Sequence, residues 1–85
     1  WGLINRVIDD DGLMAEATSM ARRFADGPTR AYAMIRRAAR FAAQSSLTEV
    51  LDLERANQRA AGHTGDAREA MAAFMEKRPP VFRGE

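Results

Sequence analysis

Apolar residues recur along the first third of the chain with the 3.6-residue period of an amphipathic helix. The pattern begins after the acidic turn at 9–12 and consists of Leu13, Met14, Ala17, Met20, Ala21 and Phe24. The segment Asp26-Gly27-Pro28 predicts its end, with Gly27 in a left-handed conformation and Pro28 in the first turn of the next helix. Two consecutive helices are therefore expected.

The second helix is predicted to run to about Ala43 and to have two distinct faces. Its apolar stripe consists of Ala31, Met34, Ile35, Ala38 and Ala42. Its other side is basic and carries Arg30, Arg36, Arg37 and Arg40. No aromatic residues alternate with these arginines in a stacking pattern, so we expect a solvated or salt-bridged face and not a nucleic-acid site.

A third helix is predicted from Ser46, because Ser46 and Glu49 have the spacing of a capping box. In this motif each side chain binds a free backbone N–H of the first turn. The apolar positions that follow are Leu47, Val50, Leu51 and Leu53. They spread over roughly 160° of the helix, which predicts contact with two surfaces.

A fourth helix is predicted after the break at 62–66, with Thr64 or Asp66 as its cap and Glu69 three residues beyond Asp66. Its apolar stripe is the most regular in the chain and consists of Ala67, Ala70, Met71, Phe74 and Met75. Pro79-Pro80 is expected to end the helix.

The segment before these helices has a different pattern. Gly2–Ile8 is rich in branched residues and is typical of a strand, but one strand cannot form a sheet. We therefore interpret residues 1–11 as a remnant of a preceding α/β catalytic core and residues 12–85 as a helical domain. The expected fold is all-α, with about four short amphipathic helices after a remnant strand.

Composition limits the possible functions. Hydrophobic residues make up 46% of the 85 residues, but seventeen of them are alanines, which bury little area each. Thirteen basic against twelve acidic residues give a net charge of +1, so neither a nucleic-acid nor a membrane partner is predicted. The chain has no cysteine and one histidine, His63, so we predict no metal. The absence of cysteine fits a cytoplasmic protein.

The last part of the chain carries a resemblance to a known family. Residues 72–82, Ala-Ala-Phe-Met-Glu-Lys-Arg-Pro-Pro-Val-Phe, resemble the C-terminal signature of crotonase-family enzymes, the enoyl-CoA hydratases and isomerases. Asp66 to Glu69, Gly27-Pro28 and Gly2–Val7 are similar to other parts of the family pattern. Ala70 and Gly65 depart from it, since a glycine and an acidic residue are common there.

The resemblance implies a full-length enzyme that acts on acyl-CoA thioesters through an oxyanion hole and carboxylates. Those groups would lie upstream of Trp1, so no catalytic residue is assigned and the chain should be inactive alone. Coenzyme A would be part of the substrate, with no separate cofactor. The resemblance also implies trimers or hexamers, with C-terminal helices at the subunit interfaces.

Two residues are assigned to coenzyme A binding on the same resemblance. Phe74 would line the acyl or pantetheine end, and Lys77 would face the adenosine 3′-phosphate. Their spacing of three places them on one side of a helix. The alternative is that Phe74 is a core residue and Lys77 a solvated helix end. A second functional hypothesis is an independent helical module that binds another protein.

Overall fold

The computed structural model describes residues 2–85, which form four helices. They are α1 (Leu13–Ala25), α2 (Thr29–Ala42), α3 (Leu47–Gly62) and α4 (Gly65–Glu76), so the predicted all-α fold is confirmed. The strand predicted for Gly2–Ile8 is not formed. A strand is stabilised by a neighbouring strand, and residues 2–85 supply none. Trp1 lies outside the described residues.

The turn between α1 and α2 depends on close packing at Gly27. The predicted left-handed conformation is wrong, since Gly2 and Gly84 are the glycines of residues 2–85 with positive φ. Gly27 is instead buried against Tyr32, and any Cβ at this position would overlap the Tyr32 ring. The Tyr32 ring also meets Phe24 edge to face, with centroids 5.9 Å apart. Pro28 stands at the N-cap position of α2, just before the first turn in which it was predicted, and makes no side-chain capping hydrogen bond.

The predicted capping box at the start of α3 is confirmed. The Ser46 hydroxyl accepts from the backbone N–H of Glu49 at 3.4 Å, and the Glu49 carboxylate accepts from the N–H of Ser46 at 2.8 Å. Two otherwise free donors of the first turn are thereby satisfied. The helix then contacts both α2 and α4, and Asn57 donates from its side chain to the carbonyl of Met34 on α2 at 3.4 Å.

Thr64 joins the end of α3 to the start of α4. Its hydroxyl donates to the carbonyl of Ala61 at 2.7 Å and accepts from the N–H of Ala67 at 3.1 Å. Of the two caps considered from the sequence, Thr64 is therefore the cap of α4. Asp66 instead binds backbone N–H groups of residues that follow α4.

The four helices leave most of their apolar surface open. The radius of gyration is 16.2 Å, against about 12 Å for a compact domain of this length. The accessible surface is 7436 Å², against roughly 5000 Å² for a compact monomer of this mass. Among residues 2–85, Ala73 is the one buried apolar side chain. No helix in this range is long and apolar enough to cross a bilayer.

We expect Ser46→Ala to weaken the first turn of α3 by about 1 kcal/mol, because it removes an acceptor for the N–H of Glu49. The hydrogen bonds from Ser46 also hold the pKa of Glu49 below its ordinary value, so this pKa should rise in the variant. Cα and side-chain carboxyl chemical shifts of residues 47–50 measure both effects. Ser45→Ala is the matched control, and an equal loss of helix in that variant would contradict the assignment.

Candidate functional site

The C-terminal end of α4 is closed by backbone hydrogen bonds. Lys77 has φ 54° and ψ 39°, which is the left-handed region. Its N–H donates to the carbonyl of Phe74 at 3.2 Å, and the N–H of Arg78 donates to the carbonyl of Ala73 at 3.0 Å. This is a Schellman motif. The helix therefore ends at Glu76, before the two prolines that were expected to end it.

This conformation changes the geometric basis for pairing Phe74 with Lys77. Residues three apart share a helix face only where the backbone is helical at both positions, and Lys77 is left-handed. The two residues adjoin instead through the backbone hydrogen bond between them. Both are exposed, and no ion pair within residues 2–85 includes Lys77. Their assignment to coenzyme A therefore stays a prediction, on a different geometric basis.

Phe74 belongs to an exposed apolar surface on α4. Met71, Phe74 and Met75 are 72%, 81% and 79% exposed, and we call these three residues the α4 apolar face. The predicted stripe is thus only partly covered, because α4 turns Ala73 inward instead. Phe74 is not part of a core formed by residues 2–85, and its ring is free to contact another molecule.

Arg78 is held by two carboxylates. Its Nη1 and Nη2 donate to the two carboxylate oxygens of Glu69 at 2.6 and 3.0 Å, and its Nε donates to Glu76 at 2.6 Å. Glu69 also accepts from the backbone N–H of Val81 at 2.9 Å. The guanidinium of Arg78 is therefore occupied, whereas Lys77 beside it keeps its charge available.

Asp66 binds the residues that follow the prolines. Its buried carboxylate accepts from the N–H groups of Arg83 and Gly84 at 2.8 and 3.0 Å, and its own N–H donates to the carbonyl of Glu85 at 3.0 Å. Gly84 has φ 75° and lies so close to Thr29 that a Cβ would overlap the threonine hydroxyl. Residues 78–85, which we call the tail, thus fold back along α4 to the start of α2.

The sequence left Thr64 and Asp66 open as the cap of α4, with Glu69 three residues beyond Asp66. Thr64 is the cap, and the carboxylates of Asp66 and Glu69 bind the tail instead. The sequence does contain a signal for this arrangement. Two acidic residues three apart face one side of a helix, and an arginine follows just past its end. Such an arginine can fold back onto one of them, as Arg78 does onto Glu69.

The charges of Glu69, Glu76 and Arg78 stabilise one another. The hydrogen bonds from Arg78 and Val81 lower the pKa of Glu69 to about 2, and the same pairing raises the pKa of Arg78. The arginines of α2 are different, since Arg30, Arg36, Arg37 and Arg40 are exposed and form no ion pair within residues 2–85. They form a solvated face. No three potential metal ligands come together in this range.

Acid is expected to release the first part of the tail, Arg78 to Val81, from α4. The pKa of Glu69 is lower in the folded state than its ordinary value of 4.5, so its stabilising contribution is complete above about pH 4.5 and is lost as the pH falls through about 2. The amide resonance of Val81 and the carboxyl resonance of Glu69 should follow this titration. Glu69→Gln should abolish it at Val81. A midpoint near 4.5 for Glu69 would show that the pair with Arg78 does not form in solution.

Known proteins resemble this chain in both sequence and helix arrangement. The family model for enoyl-CoA hydratase/isomerase matches residues 1–85. The chain is 42% identical over 85 residues to 1,2-epoxyphenylacetyl-CoA isomerase of Escherichia coli (strain K12). The aligned part is 100% of this chain and 32% of that protein. It is 41% identical over 81 residues to a probable enoyl-CoA hydratase of Mycobacterium tuberculosis, and the aligned part is 95% of this chain and 32% of that protein.

A solved structure gives the same result for the fold. The crystal structure of enoyl-CoA hydratase subunit I from Geobacillus kaustophilus matches with a TM-score of 0.92 and 38% identity, over 99% of this chain and 33% of that chain. The chain thus spans about a third of the length of these relatives. The resemblance noted from residues 72–82 is confirmed over the whole sequence, and the chain belongs to the enoyl-CoA hydratase/isomerase family.

Proposed function

We propose that this chain is the C-terminal helical part of an enzyme that acts on acyl-CoA thioesters, where it covers the coenzyme A site and contributes to subunit association. The names of its relatives support the substrate class, since they are a 1,2-epoxyphenylacetyl-CoA isomerase and a probable enoyl-CoA hydratase. The groups that perform the chemistry would lie in the rest of the enzyme. Coenzyme A would arrive as part of the substrate, in the cytoplasm.

The observation that carries this proposal is the pairing of an exposed aromatic ring with an available cation at the end of α4. Phe74 would contact the acyl or pantetheine part of the substrate, which is largely apolar. Lys77 would contact the adenosine 3′-phosphate. Glycine is the favoured residue at a left-handed helix end, and a lysine there costs roughly 1–2 kcal/mol. Strained backbone of this kind is often found at functional sites, which supports a role for the Lys77 side chain.

The open arrangement of the helices supports a role in association. The α4 apolar face is uncovered within residues 2–85, and so are Leu13, Met14 and Phe24 on α1. Surfaces of this kind are normally covered by another domain or subunit. The resulting assembly would be a trimer or a hexamer. A free-standing module that binds an unrelated protein would explain the exposed faces equally well, but it gives no reason for the family match.

We expect Lys77→Gly in the full-length enzyme to change stability and substrate binding in opposite directions. Glycine relieves the left-handed conformation, so the melting temperature should stay the same or rise. Loss of the ammonium should raise KM for acyl-CoA about fivefold, equivalent to ~1 kcal/mol, and leave kcat nearly unchanged. The contact is remote from the thioester and stabilises ground state and transition state alike.

The matched control is Lys77→Arg, which keeps the charge and the backbone cost and should retain a KM close to wild type. Each variant is assayed with acyl-CoA and with acyl-dephospho-CoA at two salt concentrations. The penalty for Lys77→Gly should be confined to acyl-CoA and should shrink with salt. If Lys77→Gly stabilises the enzyme and leaves KM for acyl-CoA unchanged, Lys77 does not bind the phosphate.

A further inference from the structure

The direction in which Lys77 projects depends on how the chain is held on both sides of it. Before Lys77, the backbone is fixed by α4 and by the hydrogen bond from Lys77 N–H to Phe74. After Lys77, the Schellman hydrogen bond from Arg78 to Ala73 is the first constraint. A left-handed lysine has a less favourable backbone than the alternatives open to it, so further contacts are needed to keep it there.

Those contacts come from one carboxylate. Glu69 accepts both Nη donors of Arg78, one residue after Lys77, and also the N–H of Val81, four residues after it. Pro79 and Pro80 lie between these two attachment points, and their fixed φ angles stiffen the connection. The result is a closed ring of chain from Glu69 through α4 and Lys77 to Val81. We call Glu69, Arg78 and Val81 the α4 clamp.

We propose that Glu69 is a positioning residue for coenzyme A: through the α4 clamp it holds Lys77 in the conformation that directs the ammonium toward the 3′-phosphate. This inference rests on the proposed function of Lys77. Glu69 itself touches neither the substrate nor the reacting atoms. Its carboxylate is a side-chain partner of Arg78 and a backbone partner of Val81, so its effect reaches Lys77 through the chain.

Electrostatic repulsion by Glu69 and positioning of Lys77 by Glu69 predict opposite changes in KM for Glu69→Gln. A phosphate is repelled by a nearby carboxylate, so removing this negative charge should favour binding if only long-range electrostatics matters. Glutamine cannot accept both Nη donors of Arg78 as a carboxylate does, so the variant should weaken binding if position matters. The sign of the change in KM therefore separates the two effects.

The test uses the full-length enzyme and the two substrates acyl-CoA and acyl-dephospho-CoA. Glu69→Gln is expected to raise KM for acyl-CoA about threefold with kcat nearly unchanged, and to leave KM for acyl-dephospho-CoA as in wild type. Arg78→Lys keeps every charge but cannot form the bidentate pair, and it should give a similar increase. This second variant also covers the case in which Glu69→Gln folds poorly.

Two further variants make the result specific. Glu76→Gln removes one negative charge directly beside Lys77, while Glu69 keeps its hydrogen bonds to Arg78 and Val81. KM for acyl-CoA should therefore stay at or below the wild-type value. The double variant Glu69→Gln/Lys77→Gly should bind acyl-CoA no worse than Lys77→Gly alone, because a positioning residue has nothing to act on once the lysine is gone.

The outcomes separate this inference from the function on which it rests. If Lys77→Gly raises KM for acyl-CoA and Glu69→Gln and Arg78→Lys do not, the positioning role is wrong and the phosphate contact stands. If Glu69→Gln lowers KM, or raises it equally for both substrates, positioning is also wrong. If Lys77→Gly has no effect on KM for acyl-CoA, the proposed phosphate contact is wrong, and the positioning role that rests on it is wrong as well.

Discussion

Apolar side chains must be covered to stabilise a fold, and the four helices formed by residues 2–85 leave many of one another's apolar side chains exposed. Alanine is the commonest residue of α2 and offers little area for burial, so the contact between α2 and α3 encloses no large side chain. Exposed apolar groups lie on all four helices, among them Phe24 on α1, Ile35 on α2, Leu51 on α3 and Phe74 on α4. A solved structure with the same helix arrangement is about three times as long, since this chain covers 33% of it.

Polar contacts replace a core at the end of the molecule where the candidate site lies. Asp66 is buried although it is charged, and it is satisfied there by backbone N–H groups of the tail. Glu69 performs a similar task for the first part of the tail. The position of the tail thus depends on directed hydrogen bonds, which fix a backbone more narrowly than contact between apolar surfaces does.

The sequence predicted those features whose partners are close in the chain. Ser46 and Glu49 are three residues apart and form the box that their spacing indicates. The binding of the tail by Asp66 was not predicted, because its partners at 83 and 84 come after a pair of prolines and no local pattern connects them. The strand at Gly2–Ile8 needs a neighbour that residues 2–85 do not supply. The left-handed Lys77 was missed because glycine, the usual signal, is absent there.

The attachment of the tail to the first turn of α4 has a mechanical consequence. A force applied at Glu85 would be borne by its hydrogen bond to Asp66 and by those of Arg83 and Gly84 to the same residue. Such a load enters the helix at its N-terminal end and would not unwind it from its C-terminal turn. The turn that carries Lys77 would therefore bear little of a tension applied at the end of the tail.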